Sequence, residues 1–169
     1  MDDYHRMAAA DVFGPEDRVE LIDGEVVEMT PIGSRHAGCV NRLTRLLTAS
    51  LGERAIVAVQ NPIQVGDLSE PQPDLVLLRP RPDFYAEHHA MPPDILLVIE
   101  AAETSLRFDL ERKAPLYMAG GIPEVWIVDL VAGVINVTTA TGSRQAGVGD
   151  AIAPEAFPDV VLQVADILP

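Results

Sequence analysis

A chain of 169 residues, 48% hydrophobic and 22% charged, is long enough for one domain with one core and too apolar to stay disordered. No apolar run approaches the ~18 residues of a membrane span, and a single cysteine, Cys39, excludes an internal disulfide framework and fits a reducing compartment. A net charge of −14 disfavours broad contact with a polyphosphate, whose affinity is mostly cationic.

The opening segment, Met1–Phe13, begins with Asp2-Asp3 and lacks the basic-then-apolar layout of a secretory leader, so a cytoplasmic protein without membrane contact is expected. The charge is uneven. Residues 1–30 carry nine acids and two arginines, whereas residues 31–52 hold no acid but do hold Arg35, Arg42 and Arg45. Their offsets bring these arginines to one side of a helix, as a solvated face or as a local stripe that could meet phosphate.

Along the chain, two β-rich runs, 19–22 and 25–29, meet at Asp23-Gly24, a pair that tolerates the positive φ angles of a tight hairpin turn. Ser34 can cap a helix to about Leu51, with Ala37, Val40, Leu43, Leu47 and Leu51 as its apolar stripe and Cys39 beside it. Residues 55–60 and 63–65 suggest short strands, and 66–73 a turn. Leu75–Leu78 is a fully apolar run, typical of a strand covered on both faces. Residues 79–93, with four prolines and the pair His88-His89, form a loop in which two adjacent histidines are poorly held for a metal.

A second apolar strand, Asp94–Ile99, ends on Glu100. Thr104 or Ser105 can cap a helix to Ala119, kinked at Pro115 and stopped by Gly120-Gly121. A third strand, Pro123–Asp129, pairs with Val134–Thr138 through a turn at Ala132-Gly133. The tail, 141–169, is expected to add a strand and a short helix. Residues 1–169 thus read as a single α/β domain whose mixed central sheet is flanked by helices, with an N-terminal β-hairpin.

Two carboxylates interrupt the apolar strands: Asp74 before the first and Glu100 at the end of the second. A carboxylate in such a place needs a partner. If the strands are neighbours, the two converge at one sheet edge, a donor set suited to Mg²⁺. Lys113 is the only lysine among twelve basic residues other than histidine, and its spacing with Leu106, Leu110 and Tyr117 points it towards the sheet, the alternative being a snorkelling lysine or an i,i+4 pair with Asp109.

The ordered set Glu20-Leu21-Ile22-Asp23-Gly24-Glu25, Pro71-Gln72-Pro73-Asp74-Leu75, Val98-Ile99-Glu100, Asp109–Lys113 and Tyr117–Asp129 resembles the bacterial restriction-endonuclease family once labelled a domain of unknown function. The resemblance spans roughly residues 4–140 and extends to the PD-(D/E)XK nuclease superfamily. It implies a restriction-endonuclease-like core and a Mg²⁺- or Mn²⁺-dependent phosphodiesterase acting on nucleic acid, DNA above all. By the same resemblance Asp74 and Glu100 bind metal, Glu20 adds to that site, and Lys113 replaces the usual lysine two residues after the second carboxylate, where Ala102 stands. His36 lines the cleft, while Gln72 and Glu103 lie close in sequence to the key carboxylates and are candidates to orient them. The other reading is a catalytically idle domain of the same fold that binds DNA or protein as a homodimer. No helix-turn-helix or zinc finger supplies a reading module.

Overall fold

Asp23 and Gly24 both adopt positive φ, 51° and 80°, and reverse the chain between β1 (Val19–Ile22) and β2 (Glu25–Glu28), an antiparallel pair that forms its own small sheet. The computed structural model describes residues 1–14 and 16–169. A short helix, α1 (Asp2–Ala9), precedes the hairpin. It buries no residue and is tied by polar contacts, among them the Tyr4 hydroxyl donating to the Val19 carbonyl at 3.2 Å.

Helix α2 (Ser34–Leu51) lays Cys39, Val40, Leu43, Leu47 and Leu51 against the sheet at helical spacing. Gly33, rather than Ser34, occupies its N-cap position; Ser34 is already helical and exposed, and no side chain caps the end. Burial pushes the Cys39 thiol up to about 12, so this side chain packs as an inert apolar group.

The main sheet contains β3 (Ile56–Val59), β4 (Leu75–Leu78), β5 (Ile95–Ala102), β6 (Glu124–Asp129), β7 (Val134–Thr139) and β8 (Gly142–Gly147), side by side in that order. Only β5 and β6 run parallel, joined by the helical crossover; the other neighbours are antiparallel. The sheet is mixed, with helices against it and the hairpin beside it, as the sequence suggests. Strands β4, β5 and β6 are buried along their whole length, which explains their unbroken apolar runs. Leu75, Leu77, Leu97, Ile99 and Trp126 pack with α2, while Val76, Leu78, Val98, Val125 and Ile127 pack on the opposite face. The chain ends in β9 (Ala151–Ile152), β10 (Leu162–Gln163) and α5 (Val164–Ile167). No helix is long and apolar enough to cross a membrane among the described residues.

Three expectations change. Residues 63–65 are not a strand: Ile63 makes one isolated bridge to Ala90, after Pro62 has removed a donor and Gln60 has turned to φ 53°. Glu100 does not close its strand but lies inside β5, opposite Ile127 of β6. The crossover helix is not one kinked α-helix. It consists of α3 (Leu106–Phe108), a π turn (Asp109–Lys113) and α4 (Ala114–Ala119), with the amide of Ala114 donating to the Asp109 carbonyl five residues back. Pro115 has no N–H for the carbonyl four residues before it and would crowd that turn, so the wider turn relieves the conflict.

That π turn also resets which side chains face inward. Leu110, placed by regular helical spacing beside Lys113, is 38% exposed. Asp109, Lys113 and Tyr117 are buried instead, at 4%, 4% and 0% exposure. A turn that takes more residues per revolution rotates the later positions back, and these three line up.

A candidate metal-dependent active site

Alternation along β5 puts Glu100 on the face it shares with Val98 and Ala102, the face covered by α4. Antiparallel pairing of Leu75 with Ile99 then brings Asp74, just before β4, next to Glu100. The Asp74 amide lies 3.4 Å from Glu100 Oε2, and the Ala101 amide donates to Asp74 Oδ2 at 2.9 Å. The two carboxylates therefore meet where β4 begins, alongside the interior of β5.

Lys113 reaches the same place from the π turn. Its Nζ lies 2.9 Å from Glu100 Oε1 and 3.1 Å from Glu20 Oε2. Glu20 arrives on β1, which is not part of the main sheet; the hairpin is held there by a bridge between Leu21 and Glu70 and by Gly24 donating to the Leu68 carbonyl. Gln72 completes that join: its amide donates to Glu20 Oε2 at 3.1 Å, and its side chain donates to the Gln60 carbonyl at 2.5 Å.

The remaining oxygens are mostly engaged as well. His36, on the first turn of α2, donates from Nε2 to Asp74 Oδ1 at 2.8 Å, and Gln60 Nε2 donates to the same atom at 3.3 Å. The Tyr117 hydroxyl donates to Glu100 Oε1 at 2.6 Å. Ser105 does not cap its helix; its hydroxyl donates to Asp109 Oδ2 at 2.6 Å. Glu100 Oε2 carries only the long contact from the Asp74 amide.

Sequence reasoning missed Asp109, Gln60 and the bond from Tyr117. Regular spacing offers Asp109 as an i,i+4 partner of Lys113 but not as a member of the buried cluster; nothing marks Gln60. Glu103 sits apart, half-buried at 3.9 Å from Arg35, whose guanidinium donates to the Leu130 carbonyl at 2.7 Å. Arg42 and Arg45 are exposed on α2, and neither lines the cleft. His88 and His89 lie in the loop, beside Arg81 and Glu70 respectively.

Electrostatically, four buried carboxylates (Glu20, Asp74, Glu100 and Asp109) surround one buried ammonium. Burial pushes Glu100 up to about 8, with Lys113 opposing the shift and Asp109, Asp74 and Glu20 adding to it. Burial also raises Asp109. For Lys113 burial acts against the charge, yet attraction to Glu100, Glu20 and Asp109 outweighs it, so the lysine keeps its proton above its usual range. The hydrogen bond to Asp74 raises His36 against the opposing effect of burial.

Among the described residues no three His, Cys, Asp or Glu side chains form a metal cage. Mg²⁺ does not require one: it takes one or two carboxylates and completes its shell with water and phosphate. Asp74 and Glu100 are hard-oxygen donors in an acid-rich cleft of about 300 Å³, and they fit such an ion.

These shifts share a sign. Glu100, Asp109 and His36 all bind protons more tightly folded than unfolded, so their contribution to stability is largest at low pH and is lost as pH rises. In chelator, the thermal midpoint is expected to fall between about pH 5 and pH 8, by at least ~3 °C. Adding Mn²⁺ at the upper pH should recover part of the loss. A midpoint that rises across this window in differential scanning calorimetry would contradict the assignment.

The family model described as "Putative restriction endonuclease" (Uma2) matches residues 1–165. A crystal structure described as "a putative nuclease belonging to DUF820 from Anabaena variabilis ATCC 29413" superposes with a TM-score of 0.83 at 13% identity, covering 98% of this chain and 95% of that one. At that identity the likeness speaks for the fold alone. No curated protein matches the chain.

Proposed function

Because the chain belongs to the Uma2 family, described as putative restriction endonucleases, we propose that it is a metal-dependent endonuclease that hydrolyses phosphodiester bonds of nucleic acid. The observation that carries this reading is Lys113, held at 2.9 Å from Glu100 and 3.1 Å from Glu20 beside Asp74. Asp74 and Glu100 would hold the Mg²⁺ or Mn²⁺. A bound ion of this kind supplies a Lewis acid for a phosphoryl oxygen and lowers the pKa of a water.

The chain's own groups orient and balance charge. Lys113 presents a fixed ammonium to charge developing on the phosphate, a point charge that needs no rearrangement as the reaction proceeds. Glu20 has its Oε2 engaged by Lys113 and by the Gln72 amide, so its part is to aim the lysine. His36 and Gln60 hold Asp74, and Tyr117 holds Glu100. Gln72 joins the hairpin to this cluster. The partner is nucleic acid, with DNA as the first choice and a homodimer as the expected assembly.

A second reading keeps the fold without the reaction: a nuclease-like domain that binds DNA or protein as a homodimer. What favours it is the engagement of both Asp74 oxygens within the protein. One experiment separates the two. Supercoiled plasmid and single-stranded circular DNA, incubated with the protein and Mn²⁺, are expected to yield nicked or shortened products that chelator abolishes. Intact DNA at high protein concentration with either substrate would sink the catalytic reading.

A further inference from the structure

We propose that the cleft takes nucleic acid as a single strand, with an unstacked base against an apolar wall, a substrate assignment that rests on the nuclease reading. The wall consists of Val27 and Met29 from the hairpin, Ile32 from the segment after it, and Phe108 from α3, all lining the same cleft as the carboxylates. Ile32 is 40% exposed, and Val27, Met29 and Phe108 are half-buried. The Phe108 ring is backed by the Arg112 guanidinium, 6.0 Å from its centroid, which Glu25 holds at 3.2 Å.

Charge selects the strand state. Among the residues lining the cleft the permanent cations are Arg18 and Lys113, against Glu20, Glu28, Asp74, Glu100 and Asp109. Arg18 is half-buried and lines the cleft, where it can meet a phosphate. A duplex carries one phosphate charge per ~1.7 Å and depends on many cations. This cleft offers Arg18 and a Lys113 already paired with Glu100 and Glu20, in a protein of net charge −14 whose Arg42 and Arg45 lie elsewhere. A single strand is less densely charged and brings bare base faces, each worth ~1–3 kcal/mol on an aromatic platform. The volume, about 300 Å³, is at the small end for ligand pockets and suits one nucleotide.

The test is fluorescence anisotropy with a labelled 12-nucleotide DNA strand and the duplex of the same sequence, in chelator, so that binding is read without turnover. The single strand is expected to bind at least ~5-fold tighter than the duplex. Phe108→Ala should weaken single-strand binding by ~5-fold or more and Phe108→Trp should restore it, with urea melts showing both variants folded. Equal or tighter duplex binding, no binding of either, or single-strand binding indifferent to Phe108→Ala would overturn the proposal. The nuclease reading fails separately: single-strand binding through Phe108 without cleavage of any DNA refutes catalysis and leaves this inference standing. Metal-dependent cleavage with duplex preferred does the reverse.

Discussion

Replacing Lys113 with methionine is expected to lower the stability of the fold by about 3–5 kcal/mol in urea denaturation, the range for breaking one side of a buried ion pair. The side chain is 4% exposed and faces two carboxylates that are equally buried. Methionine fills a similar volume but leaves Glu100 and Glu20 without their cation in a cluster where burial already disfavours the charged form. Turnover should fall by ~10² or more, because no other buried ammonium reaches the cleft. Adding Glu100→Gln to this variant should recover part of the stability and none of the turnover, a coupling that identifies the pair itself. A single variant as stable as wild type and within about threefold of its activity would remove Lys113 from the mechanism.

Asp74→Asn is expected to separate chemistry from folding. Asparagine keeps an oxygen for the Ala101 amide, which now donates to Oδ2 at 2.9 Å. Its NH₂ replaces the Oδ1 that accepts from His36 and Gln60, which can accept in turn through the other imidazole tautomer and a flipped amide. It also removes one negative charge from a cluster with four carboxylates and one ammonium. Stability should therefore change by no more than about 1 kcal/mol, while metal-dependent cleavage falls by ~10²–10³. The binding readout is independent of turnover: Mn²⁺ should raise the thermal midpoint of wild type and leave that of Asp74→Asn unmoved. A variant that gains the same midpoint shift from Mn²⁺ as wild type would show that the ion binds elsewhere.

Much of this site could be read from residue order, because burial itself is a sequence signal. Asp74 and Glu100 stood out as charges beside or within unbroken apolar runs, and those runs are apolar since both faces of β4 and β5 are covered. Lys113 stood out by choice of residue among many arginines. The hairpin was legible from Asp23-Gly24 because only a few residue pairs tolerate two positive φ angles.

Other parts depend on geometry that no spacing rule carries. Gln60 enters the site through a turned backbone, and the π turn moves Leu110, which a regular helix would place beside Lys113, out towards solvent. The arginines of α2 share one side, but periodicity does not say which side faces the cleft, and Arg42 and Arg45 face away from it. Helix α1 is harder to read because it is short and its apolar side, Met1, Tyr4 and Met7, is only half-buried. Glu20 reaches Lys113 across 93 positions through the docking of a separate small sheet, a contact for which sequence offers no local cue.

The π turn between α3 and α4 means that this segment holds one residue more than a regular helix of the same span would contain. In most surface helices a single insertion or deletion near one end is absorbed by fraying. Here the angular position of the ammonium depends on the count of residues between Ser105 and Pro115, and Pro115 prevents the surplus residue from migrating along the helix. The spacing of this stretch is thus under tighter constraint than its composition: Leu110 and Glu111 are exposed and exchangeable as types, but not dispensable as positions.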